Sequence, residues 1–139
     1  MFEHYMYEYV YNNNGLVTLH LLDGNGNPTE SRVELSFNAR GNRVGYKSLT
    51  AVSNSGAAYT FDENINPYVH MKWPEQFLEH ESKNNAVTMG SYSGSGPVEI
   101  QTTSEYQYGN DGFPTQVLRK RLDPSTGQYV QYSRKVFTY

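Results

Sequence analysis

The sequence predicts an all-β chain: one domain over residues 1–139, built as an antiparallel meander of about eight long, twisted strands that form a curved or barrel-like sheet. Three observations predict it. Apolar and aromatic residues recur at a spacing of two, as in Tyr5, Tyr7, Tyr9 and Tyr11, which places their side chains on one face of an extended segment. Clusters of Asn, Asp and Gly interrupt these runs at hairpin intervals. Helical signals are confined to the neighbourhood of Pro74, so one irregular or short helical segment is expected near 64–85.

Taken in order, Tyr5 to Tyr11 forms the first strand, its tyrosine face half core and half wet. Asn12-Asn13-Asn14-Gly15 turns it, because Asn and Gly tolerate positive φ. Leu16 to Leu22 returns as the second strand, and Asp23-Gly24-Asn25-Gly26-Asn27-Pro28 turns again. Val33, Leu35 and Phe37 alternate with Arg32, Glu34 and Ser36, the pattern of a third strand with one solvated face. Asn38 to Asn42 ends it. Val44, Tyr46, Ser48, Thr50 and Val52 predict a fourth strand, Asn54-Ser55-Gly56 its turn, and Ala57 to Asp62 a short fifth. From Asn66 to Leu78 there are two prolines and no period of two; Pro74 at a first helical position, with Glu75, Phe77 and Leu78 after it, opens one or two helical turns. Ser82-Lys83-Asn84-Asn85 turns into a strand from Ala86 to Tyr92, and Ser93-Gly94-Ser95-Gly96-Pro97 is a loop. Val98, Ile100, Thr102, Ser104, Tyr106 and Tyr108 then alternate with Glu99, Gln101, Thr103, Glu105 and Gln107, the clearest two-faced strand in the chain. Gly109 to Gly112 turns into Phe113 to Leu122, and Asp123-Pro124-Ser125-Thr126-Gly127, with type I turn chemistry, joins that strand to Gln128 to Tyr139.

Composition narrows the function classes. A chain of 139 residues with 11 basic and 14 acidic side chains has a net charge of −3 and no basic field for nucleic acid or anionic lipid. It contains no cysteine, which removes disulfides and thiolate zinc sites. No apolar run approaches about 18 residues, so no transmembrane helix is expected. His4, His20, His70 and His80 lack metal-ligand spacing, and the glycines sit in hairpin turns rather than between a strand and a helix, so neither a zinc centre nor a nucleotide cofactor is expected. Aromatic content is dominated by 13 tyrosines.

A unit of aromatic or large apolar residue, any residue, aromatic, turn formers and glycine fits four places: Tyr9 to Gly15, Leu35 to Gly41, Tyr59 to Ile65 and Tyr106 to Gly112. The third has lost its glycine. This unit resembles the tyrosine-aspartate (YD) repeats of bacterial surface and Rhs-type proteins. Tyr59-Thr60-Phe61-Asp62 with Asn66-Pro67, Ser82-Lys83-Asn84-Asn85-Ala86-Val87, and Tyr106-Gln107-Tyr108 with Asp111-Gly112-Phe113-Pro114-Thr115 resemble an uncharacterised family of exported Bacteroidetes lipoproteins, a domain of unknown function with a porin-like sheet. The resemblance runs from about Tyr5 to Tyr139. It implies a porin-like fold and an exported protein of the periplasm or cell surface, lipid-anchored in its full-length precursor. It implies no activity. The chain has neither a lipobox cysteine nor an apolar signal segment, which marks it as a mature or trimmed form within that resemblance.

Chemistry-bearing patterns are few. Asp23, Asn25 and Asn27 stand at alternate positions with Glu34 at the twelfth, the oxygen spacing of an EF-hand-like calcium loop. Pro28 occupies the place that needs glycine, and the string recurs as Asp62 to Pro67 with Trp73 in the twelfth place, so turn chemistry is the stronger reading. Glu75, Glu79 and Glu81 cluster near the only helical signal and offer paired acids for glycoside chemistry. Trp73, Tyr68 and Met71 lie in the break in the regular pattern, where recognition residues concentrate, and form the candidate ligand-binding patch. Arg119-Lys120-Arg121 and Arg134-Lys135 read as a solvent face that protects an edge strand. The expectation is a non-enzymatic exported module, without catalytic residues, that serves in structure or in recognition of a glycan or protein partner. The alternative is a carbohydrate-active hydrolase or enzyme-associated domain using the acids near 75–81. Self-association into a homo-oligomer through sheet edges is a third role.

Overall fold

Four connections share one geometry, dictated by an Asx side chain and a glycine. The N–H of Asn12, Asp23, Asn38 and Gly109 donates to the carbonyl four residues on, that of Leu16, Asn27, Asn42 and Phe113, at 2.8–3.0 Å. The glycine before each acceptor residue takes a left-handed backbone, with φ between 76° and 83° at Gly15, Gly26, Gly41 and Gly112. Side-chain oxygens close the inside of each turn. Asp23 Oδ1 accepts from the Asn25 and Asn27 N–H groups, and Asn38 Oδ1 from those of Arg40 and Asn42. Asn14 and Asp111 each accept one backbone N–H in the same way. This is a type I turn followed by a left-handed residue, which reverses a strand in register with its partner.

The computed structural model describes residues 6–67 and 82–139. Nine strands follow: β1 (Met6–Tyr11), β2 (Leu16–Leu22), β3 (Pro28–Phe37), β4 (Arg43–Leu49), β5 (Asn54–Ile65), β6 (Asn84–Ser93), β7 (Glu99–Tyr108), β8 (Pro114–Asp123) and β9 (Gln128–Val136). They pair antiparallel in sequence order, β1 to β9, in one sheet that does not close, so β1 and β9 are its two edges. The all-β antiparallel meander expected from the sequence is the fold. The barrel-like alternative is not formed. Among the described residues no α-helix is present, and most of the segment expected to be irregular or helical, near 64–85, lies outside them; on its flanks β5 runs to Ile65 and β6 starts at Asn84.

Two elements differ from expectation for one reason. The fourth strand stops at Leu49 rather than Val52, and the turn lies at Thr50 to Ser53 instead of Asn54 to Gly56. There the Thr50 N–H donates to the Ser53 carbonyl at 2.9 Å, while the Thr50 hydroxyl accepts from the N–H groups of Ser53 and Val52. A hydroxyl turn of this kind is built from residues that otherwise favour strands. It leaves Val52 94% exposed. Released from turning, Asn54 and Ser55 begin β5, which at 12 residues is the longest strand rather than a short one.

Burial follows the single layer. Val117 on β8, 2% exposed, is buried together with Pro114 of the same strand, whereas Thr18, Asn42, Asn66, Ser82 and Asn85 are buried polar side chains. The middle strands are half-buried, and β1 is exposed along its whole length. The tyrosines of β1 therefore stand further in water than the expected half-core face: Tyr11 is 76% exposed. An edge strand has a neighbour on one side only, and its side chains find cross-strand contact on that side alone.

Candidate functional site

At the end of the sheet where β5 stops and β6 begins, buried amides replace an apolar core. Asn42, 1% exposed, donates through Nδ2 to Asn84 Oδ1 at 2.8 Å and accepts the Asn84 N–H on its own Oδ1 at 3.1 Å. Asn84 Nδ2 reaches the Asn64 carbonyl at 2.9 Å. Asn66 closes the two ends of the excursion between β5 and β6: its Nδ2 donates to the Ser82 carbonyl and its N–H to the Lys83 carbonyl, both at 2.9 Å. Ser82 Oγ in turn accepts the Arg43 N–H. A buried amide with every group paired is stabilising and specifies one register; half paired, it is costly.

Beside this network, Asp62 ties three strands together. Its Oδ1 accepts from the N–H groups of Asn64 and Asn85, and its Oδ2 from the Tyr108 hydroxyl of β7. Asn85 Nδ2 donates to both the Ile65 carbonyl and the Tyr108 oxygen. Burial, and after it the neighbouring Asp62 carboxylate, hold the Tyr108 hydroxyl well above the ordinary tyrosine pKa. The Tyr108 ring stacks on Tyr106, with centroids 6.0 Å apart.

The face above this network carries a cleft of about 290 Å³. Its lining draws on six strands, from Arg43 on β4, through Tyr59 on β5, Ala86 on β6, Tyr106 on β7 and Arg119 on β8, to Tyr132 on β9. At the usual strand spacing these span about 24 Å across the sheet. Ring surface alternates with hydrogen-bonding groups: Phe61 lies beside Tyr59, and Thr102 and Ser104 beside Tyr106. The Arg43 guanidinium sits 5.8 Å from the Tyr59 ring centroid, a cation–π contact. The described lining includes no carboxylate. Asn66 and Ser82, which close the excursion between β5 and β6, line the cleft as well.

No family model, no curated protein and no solved structure matches the chain. What the site can do therefore rests on its own residues.

Tyr68, Met71 and Trp73, the ligand-binding patch expected from sequence, lie outside the described residues, as do Glu75, Glu79 and Glu81. The calcium candidates do not converge. Asp23 Oδ1 is committed to the turn amides of Asn25 and Asn27, while Glu34 lies on β3, paired with Thr18 and Lys47, and its Oε1 accepts from Arg32 Nε at 3.0 Å. From Pro28, where β3 starts, to Glu34 the strand rises about 20 Å. Among the described residues no group of three or more His, Asp or Glu side chains is placed to hold a metal. The expected basic patch is divided between the two faces of the sheet. Lys120 pairs with Glu105 and Arg134 hydrogen-bonds Gln116, whereas Arg119, one position from Lys120, lines the cleft. The sequence places Arg119 on a solvent face; the signal that singles it out is its spacing of two from Val117, a buried residue of the same strand.

Proposed function

We propose that this chain is a non-enzymatic exported module that recognises a glycan across the β4–β9 face. The supporting observation is the cleft's chemistry: tyrosine and phenylalanine rings interleaved with hydroxyl, amide and guanidinium groups along a path that crosses six strands. Rings offer flat apolar area at low entropy cost, and the intervening donors match a polyhydroxylated chain. Extracellular or periplasmic placement, and the YD-like repeat as the unit of the sheet, are part of this proposal through the resemblance of Tyr59 to Pro67 and Ser82 to Val87 to exported proteins.

A glycan array with the full chain, run beside Tyr132→Ala, tests the reading. Tyr132 is 53% exposed and lines the cleft from the edge strand, so its loss spares the interior of the sheet. Retention of a sugar class by the wild type, weakened about tenfold in the variant, about 1.4 kcal/mol, is the expected result. Equal signals from the two proteins, or no retained sugar, would sink it.

A further inference from the structure

Two arginines, Arg43 and Arg119, line this cleft. Three basic residues elsewhere are matched with an acid: Lys120 with Glu105 across the β7–β8 pair, Arg32 with Glu34 along β3, and Arg40 with Glu63. Arg119 is not among them. Its register partners are Ser104 on β7 and Ser133 on β9, and among the described residues it makes no ion pair. Arg119 is half-buried, so its guanidinium faces a partly desolvated cleft with hydroxyl-bearing residues to either side and no carboxylate in the described lining.

We propose that the cleft selects acidic glycans, with a carboxylate or sulfate of the sugar chain seated on Arg119. This rests on the glycan reading above and names its ligand class. The guanidinium fork fits the two oxygens of a carboxylate or sulfate, and Ser104 and Thr102, which line the same cleft, add hydroxyl donors beside it. Arg43 lies in the same cleft four strands away, about 19 Å at ordinary strand spacing, with its guanidinium over the Tyr59 ring. A path that crosses six strands suits a sugar chain better than a single small anion. A peptide is the weaker fit. Extended peptides bind by adding to an open edge, and this cleft lies on a face whose backbone groups are spent within the sheet.

The test titrates the full chain with oligogalacturonate, the neutral oligogalactose of equal length, a sulfated oligogalactose and oligoglutamate. Wild type is expected to bind an acidic sugar at least tenfold more tightly than the neutral one, with that preference falling as salt is raised. Arg119→Gln abolishes the preference and Arg119→Lys, which keeps the charge but not the fork, retains part of it. A stronger response to the sulfated oligomer than to the uronate supports the assignment and identifies the anion. Equal wild-type binding of neutral and acidic sugars overturns the inference while leaving the glycan reading intact, provided Tyr132→Ala weakens both. Oligoglutamate binding as tightly as the acidic sugars overturns it in favour of a peptide, and absence of sugar binding removes both proposals. The salt series needs no variant, so a folding failure at position 119 leaves the inference open to refutation.

Discussion

The Tyr92 side chain of β6 lies over Gly56 of β5, its direct register partner, and occupies the space a side chain there would need. A Cβ added to Gly56 would stand 2.5 Å from the Tyr92 hydroxyl oxygen and 2.6 Å from the ring carbon that bears it, with the Tyr46 carbonyl closer still. The glycine is thus a fitted site inside a strand, where glycine otherwise costs stability. Gly56→Ala should destabilise the protein by about 2 kcal/mol through overpacking against backbone that cannot retreat. A fall in the urea midpoint at constant slope checks it; an unchanged midpoint would mean that the ring moves aside at no cost.

Asn42→Ala removes the partner of both the Asn84 N–H and the Asn84 side-chain oxygen at a position 1% exposed. The expected loss is about 2 kcal/mol, from buried polar groups left unpaired. Asn84→Ala should cost a similar amount, and the double variant less than the sum, because each single change already breaks the shared pair. Additive urea midpoints would show that the two amides act independently.

Tyr108→Phe keeps the stack on Tyr106 but deprives Asp62 Oδ2 of its donor and Asn85 Nδ2 of one acceptor. A loss of about 1 kcal/mol is expected below pH 9, held down by partial exposure. In the wild type the folded pKa of Tyr108 lies above the ordinary value of 10.0. Its contribution is therefore complete below that ordinary value and is lost as pH rises through the folded one. Alkaline titration of phenolate absorbance should show a late-ionising tyrosine that disappears in Tyr108→Phe.

Asp23 and Asp123 supply the acid side of the profile. Backbone N–H groups of Asn27 and Asn25 hold the Asp23 carboxyl below its usual range, and the Ser125 hydroxyl and N–H do the same for Asp123. A lowered folded pKa contributes stability above the unfolded value of about 4, and that contribution is lost as pH falls through the folded pKa. Melting temperatures of wild type should decline across that window. Asp23→Asn and Asp123→Asn, which keep an acceptor oxygen and lose the charge, should decline less steeply; parallel curves for all three proteins would contradict the assignment.

Sequence pattern made most strands legible because water and neighbours impose a period of two on a sheet. Ile100, Thr102, Ser104, Tyr106 and Tyr108 of β7 sit more deeply than Glu99, Gln101, Glu105 and Gln107, as their alternation predicts. Turns built on Asx and Gly were equally readable, Asp123 to Gly127 among them: the Asp123 carbonyl accepts from both Thr126 and Gly127. The Thr50 turn escaped because a single hydroxyl does the work of Asx and Gly, and its residues mimic a strand. Of the four repeat-like segments, Tyr59 to Ile65 is the one without a terminal glycine, and there the chain runs on as β5. The cleft was not legible, because it draws on strands far apart in sequence, from Arg43 to Tyr132.

Strand order identical to chain order makes this protein thermodynamically one-dimensional. Each strand pairs with its sequence neighbours, so stability approximates a row of nearest-neighbour couplings, as in stacked-repeat proteins. Every strand–strand junction but one is closed by a short loop; β5 to β6 requires the chain to return over the 18 residues between Ile65 and Asn84. The amide network of Asn42, Asn64, Asn66 and Asn84 stands there and reinforces the β5–β6 ladder, which joins β1–β5 to β6–β9 in one continuous sheet.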